Sequence, residues 1–217
     1  MLRRILGPAL FLCALVPAAC DDTVVDPGER GTYLEPTSPE NLIANLMESY
    51  DRKEIEEYAK LLAPEFIFKF QPADLDLIED EFWTRGQDST GTAGLFGSPV
   101  VGDIRINLVH GPAEATDELS FDPGVMLVRI NPTQLEVDQI GGSKKGITYQ
   151  VDGDIQDMFF RQGKAELGEN PAHWFLVEWR DIPNPAGAAG TRIGAGVRPA
   201  SVESSTWGQL KAYFKVP

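Results

Sequence analysis

Apolar positions in the first half of the chain recur at helical spacing, and from residue 66 onward at every second residue. Ser38-Pro39 has the chemistry of a helix start, because serine caps free N–H groups and proline is tolerated in the first turn. Leu42, Ile43, Leu46, Met47 and Tyr50 then share one helical face. Asp51 followed by Glu54 reads as a second start of capping-box type, and Ile55, Tyr58, Ala59 and Leu62 repeat on one face until Pro64. Phe66, Phe68 and Phe70 alternate with Ile67 and Lys69, a strand with an aromatic inner face. Between residues 74 and 96 the period is lost, and Trp83 with Leu95-Phe96 suggests a helix or turn cluster closing one end of a core. Strands are then predicted at 100–108, 125–130, 134–140, 147–151, 155–161, 174–182 and 206–214, with Asn131-Pro132 parting one pair and 141–146 turning a hairpin. Helices first and an antiparallel sheet afterwards is an α+β pattern, with two or three N-terminal helices packed on the sheet.

The first twenty residues break this pattern. Arg3 and Arg4 precede an apolar stretch from Ile5 to Val16, and Pro17-Ala18-Ala19 leads to Cys20. This is the layout of a secretory signal. It resembles a bacterial lipoprotein signal, in which the Cys after small residues is lipidated, by palmitate among other acyl chains, and becomes the mature N-terminus. Pro17 stands where that signal prefers Leu. The alternative is a plain secretory signal cut after Ala19 with Cys20 an incidental thiol. With Cys13 removed, however, Cys20 is the only cysteine of the mature chain, and a lone thiol is unusual in a secreted protein. The expected organisation is therefore 1–19 signal peptide, 20–37 flexible tether and 38–217 folded domain, with a Gly/Pro-rich loop at 183–200. Lipidation implies membrane association through the anchor and a place in the bacterial cell envelope, facing the periplasm or the cell exterior. Asp21 resembles the inner-membrane retention signal of enteric bacteria.

Charge and composition narrow the function classes. With 19 Lys+Arg against 33 Asp+Glu the net charge is −14, which argues against nucleic acid as a partner. No apolar run reaches the ~18–20 residues of a membrane-spanning helix. His110 and His173 are far apart, and HExxH and CxxC are missing, so no metal site is predicted. A Gly-x-Ser-x-Gly turn is missing, so no serine nucleophile is predicted, and a dinucleotide fingerprint is missing too, so no cofactor is predicted. The acidic run from Asp74 to Glu81 places Glu79 where a calcium loop needs Gly, and reads as a solvated face. Trp174 and Trp179 differ in strand parity and should point to opposite faces.

Residues 38–50 and 55–68 look like the opening of a nuclear transport factor 2-like domain, in which a bent sheet wraps a long first helix into a cone. Residues 173–181 and 205–212 are similar to bacterial lipoproteins carrying that domain. The resemblance implies an open cone end that admits a small apolar ligand, a sheet face that often mediates homodimers, and, in the enzymes of the superfamily, an Asp or Asp–His pair on the inner face. Asp157, between Ile155 and Phe159, is the best match for such an acid, with His173 one residue before the next strand; Arg161 on the same face offers Asp157 a structural salt bridge instead. The expectation is a non-catalytic module that binds a small apolar ligand or an envelope protein. The rival is an isomerase, dehydratase or cyclase using Asp157 and His173.

Overall fold

Ser38 does cap the first helix. In the computed structural model, which describes residues 32–76, 78, 80–119, 124–183 and 201–214, its hydroxyl accepts the Asn41 N–H at 3.2 Å and Pro39 fills the first turn. Helix α1 (Pro39–Arg52) buries Leu42, Ile43, Leu46 and Tyr50. Each of the three aliphatic side chains contributes roughly 1.5–3 kcal/mol through removal from water. The second start differs from expectation. Asp51 still belongs to α1, Lys53 closes it in the left-handed region (φ 58°), and Glu54 begins α2 (Ile55–Leu61) without a side-chain cap. Glu54 instead accepts the Tyr33 hydroxyl at 2.8 Å.

That contact shows the folded part beginning at Tyr33, ahead of Ser38. Asn45 exchanges two 2.7 Å hydrogen bonds with the Leu34 backbone, and Pro36 accepts the Trp174 N–H at 2.6 Å. Cys20, the rest of the expected tether up to Gly31, and loop residues 184–200 lie outside the described residues.

The strands are β1 (Leu62–Lys69), β2 (Phe82–Thr84), β3 (Val101–His110), β4 (Glu114–Ala115), β5 (Met126–Gln139), β6 (Ile147–Gln162), β7 (Trp174–Ile182) and β8 (Ser201–Ser204). Helix α3 (Arg85–Gly97) follows β2 and helix α4 (Trp207–Tyr213) follows β8. The sheet order is β2-β1-β7-β6-β5-β3, with β4 added to β5 and β8 to β6. Most pairings are antiparallel, but β1–β7 and β6–β8 are parallel, so the sheet is mixed rather than purely antiparallel. Strands β5 and β6 are long, and register shifts interrupt their ladder near Ile130–Gln134. Extra residues at such points bend a strand and raise its twist, which gives the sheet its curvature. The breaks expected at Asn131-Pro132 and after Val151 are such irregularities inside continuous strands.

Three further expectations change. Residues 206–214 form a helix, because Thr206 and Gln209 make a capping box and Trp207, Leu210, Lys211 and Phe214 bury one helical face. The charged Lys211 inside that face hid the period. Residues 74–96 resolve into a short turn at Pro72–Asp74, β2 and α3, and Asp74 is fully buried rather than solvated. On β7, a register shift between Phe159 and Phe160 of the partner strand leaves Val177 as an extra residue. Trp174, Leu176 and Trp179 therefore all pack on the main core, and the opposite-face expectation for Trp174 and Trp179 fails.

That core fills the concave side of the sheet, with α1, α3 and α4 packed in it. A smaller cluster lies on the convex side, where Leu119 and Val125 cover Ala63, Phe159 and Val177.

Candidate functional site

The concave core holds a group that belongs in water. Lys211 of α4 is 1% exposed, and its ammonium donates to Asp88 of α3, which is fully buried. The Tyr58 hydroxyl of α2 donates to the other Asp88 oxygen, and Lys211 Nζ lies 3.2 Å from that hydroxyl. Aromatic faces complete the surround: Nζ is 4.6 Å from the Phe68 ring centre, 4.9 Å from Trp179 and 5.5 Å from Tyr58. The negative faces of aromatic rings attract cations, most strongly where water is excluded. Burial pulls the Lys211 ammonium below the usual lysine range, and Asp88 opposes that pull. Burial and the Asp88 charge push Tyr50 and Tyr58 well above the usual tyrosine range, so both hydroxyls stay protonated.

A second polar group sits under the start of α4. Asp181 of β7 accepts Gln156 Nε2 at 2.8 Å and faces the Gly208 N–H, while Gln156 accepts Trp179 Nε1 at 2.6 Å. Asp74 accepts the Thr206 hydroxyl at 2.7 Å. Burial, with the Asp154 and Asp74 charges adding to it, pushes Asp181 up to about 7. Burial raises Asp74 as well. On the outer flank of α4 an open cleft of about 380 Å³ is lined by Lys144, Tyr149, Glu203, Gln209, Leu210 and Tyr213 among others. Lys144 pairs with Glu203 at 2.7 Å at its rim. Among the described residues, no three of His, Cys, Asp and Glu converge as metal ligands.

The inner-face acid is thus Asp181, one strand away from the expected position. Around Asp157 on β6 the residues facing the main core are Met158 and Phe160, with Gln156 beside Trp179, whereas Phe159 belongs to the convex cluster. Asp157 shares the Phe159 side, so the expected parity of this strand is reversed. The sequence could not show it, because Met158, Phe159 and Phe160 are all apolar and a second hydrophobic cluster waits on the convex side. Asp157 forms a two-armed salt bridge with Arg129 at 2.7 and 2.8 Å, rather than with Arg161. Arg161 instead grips Glu65 and Glu169 at 2.7 and 2.6 Å. These pairs, with Lys69 and Arg180 on Glu178, make an ion-pair lattice over the convex side. His173 pairs with Glu35 at 3.3 Å. Its neighbour Trp174 stands opposite Gln162, whereas Arg180 stands opposite Asp157. The seven steps from His173 to Arg180 span roughly 23 Å of strand, so the structure does not bring Asp157 and His173 together. Asp88 and Lys211 carried no sequence motif; the one available signal was a lysine at a buried helical position.

No protein-family model matches the chain, and no curated protein is similar to it in sequence. Solved structures do resemble it. A conserved protein from Planctomyces limnophilus is 8% identical with a TM-score of 0.49, over 66% of this chain and 91% of that one. An NTF2-like protein of unknown function in nutrient uptake from Rhodospirillum rubrum is 12% identical with a TM-score of 0.47, over 68% and 98%. A protein of unknown function with a cystatin-like fold from Nostoc punctiforme is 11% identical with a TM-score of 0.40, over 68% and 89%. Likeness at this level brings neither a ligand nor an activity with it. The topology itself is α+β, with helices seated in the concave side of a bent mixed sheet.

Proposed function

We propose that the protein is a lipid-anchored component of a bacterial cell envelope, held by an acylated Cys20 and facing the periplasm or cell exterior. Its domain acts as a non-catalytic module that binds a small ligand or an envelope protein. One observation carries the module reading: the concave side is filled by the protein's own Trp83, Trp179, Trp207, Tyr50, Tyr58 and Phe68, with α4 wedged among them. A catalytic cone needs that volume for its substrate. The convex sheet face is clothed by Leu119, Val125 and the ion-pair lattice, which leaves little bare sheet for the homodimer contact that the resemblance implies. The reading therefore assigns binding to the α4 side of the cone.

Labelling cells with an alkyne fatty acid tests the anchor. Label in the wild type and none in Cys20→Ser is expected, and equal label in both refutes it.

A second reading, an acid–base enzyme acting on a small apolar substrate, is favoured by Asp181, a buried inner-face carboxyl that accepts Gln156 Nε2 and that burial pushes up to about 7. Proton–deuterium exchange of cyclohexanone in D₂O, followed by NMR, separates the two. The module reading expects no acceleration, whereas acceleration lost in Asp181→Asn would put the enzyme first.

A further inference from the structure

The surroundings of Lys211 are built by other parts of the chain. Tyr58 comes from α2, Phe68 from β1, Asp88 from α3 and Trp179 from β7, four elements outside α4. They present one carboxylate, one hydroxyl and three aromatic faces around a single point, from which water is excluded. This is the chemistry that recognises an ammonium group. Without a cation there, Asp88 would be a buried charge with only the Tyr58 hydrogen bond. The helix that supplies the cation is short, and its seat is imperfect. The Tyr50 hydroxyl lies against Thr92 and Trp207 Nε1, yet none of the three closes a well-formed hydrogen bond. The open cleft along Gln209, Leu210 and Tyr213 gives solvent access to the far flank of the same helix. Polar groups left unsatisfied beneath α4 lower the cost of lifting it.

We propose that Tyr58, Phe68, Asp88 and Trp179 form a binding site for the ammonium group of a small primary alkylamine, occupied in cis by Lys211, with α4 as the internal occupant that the ligand displaces. The proposal deepens the module reading by naming a ligand class, and it rests on that reading.

The test uses the full-length protein with n-butylammonium chloride as probe and sodium chloride at equal ionic strength as control. Lys211→Ala empties the site. A saturable rise in Tm and a change in tryptophan fluorescence are expected, half-complete on the order of millimolar for so small a ligand. The double variant Asp88→Asn/Lys211→Ala should show neither. No response in Lys211→Ala, or the same response in the double variant, overturns the proposal. Should Lys211→Ala fail to fold, the wild type decides. A ligand that binds only the α4-open state multiplies that state by about 1 + [L]/Kd. Amide exchange across Leu210–Phe214 should then quicken about a hundredfold at a hundred times a millimolar Kd. Unchanged exchange there overturns the proposal. In either case the fatty-acid and cyclohexanone experiments are unaffected, so failure here leaves the module reading standing.

Discussion

Asp88→Asn is the sharpest perturbation of the buried pair, because it keeps the side-chain shape and removes the charge that Lys211 faces. Both partners are essentially inaccessible to solvent, so water cannot take over the role of the carboxylate. Breaking a buried pair from one side costs about 3–5 kcal/mol. A domain of this size loses about 2–4 °C in Tm per kcal/mol, so a fall of roughly 6–20 °C is expected. Urea and thermal denaturation followed by circular dichroism measure it. The loss should shrink as pH rises toward 10. In the variant the buried amine binds its proton less tightly than in the unfolded chain, so stability rises with pH. Asp88→Leu/Lys211→Met removes both charges and should recover most of the loss. Arg105→Ala breaks a pair with Glu136 whose side chains are 49% and 39% exposed, and should cost no more than about 1 kcal/mol. If Asp88→Asn costs as little as Arg105→Ala, or the double variant as much as Asp88→Asn, the buried-pair reasoning fails.

Three more outcomes follow from named contacts. Asp181 binds its proton more tightly folded than unfolded, so its contribution to stability is full below pH ~4 and is lost as pH rises through about 7. Asp181→Asn should flatten that slope and stabilise the protein at pH 8 by up to about 4 kcal/mol; urea midpoints from pH 4 to 8 that match the wild type would contradict this. Arg161 holds Glu65 and Glu169 below the usual carboxylate range, so their contribution is present above pH ~4.5 and is lost as pH falls below it. Lysine cannot fork between two carboxylates; Arg161→Lys should cost about 1.5–3 kcal/mol at pH 7, with a shallower acid limb in the same titration. A Cβ at Gly91 would sit 2.7 Å from Trp83 Cζ3. Gly91→Ala should therefore lose about 1–3 kcal/mol, despite alanine's better helix propensity, with the near-ultraviolet tryptophan signal altered; a stabilised variant would show that Trp83 yields freely.

The first two helices and the aromatic strand were legible because each has one wet and one dry face. Ser38, Leu42, Ile43, Leu46 and Tyr50 carry a clean 3.6-residue period, and Phe66 and Phe68 a clean period of two. Legibility was lost where both faces are dry. Met158-Phe159-Phe160 contacts two separate clusters, so no pattern could tell that Asp157 faces outward. It was lost again where a polar residue fills a core position. Lys211 interrupts the apolar face of α4, and Asp88 interrupts a segment of α3 rich in Gly, Ser and Thr. Both are buried because each supplies the other's counter-charge, from segments 123 residues apart. Local periodicity carries no record of such a partner. The bulge at Val177 is of the same kind, since a single extra residue reverses the facing of every residue beyond it.

Helix α4 closes the concave side of the sheet, with the Lys211 amine locked inside. Pulsed amine acetylation of the native full-length protein, read residue by residue by mass spectrometry, measures this directly. Lys60, whose side chain is 66% exposed, should label at once. Lys211 should label at least ~1,000-fold more slowly, at a rate set by opening of the structure. Equal labelling of Lys211 and Lys60 would contradict the account.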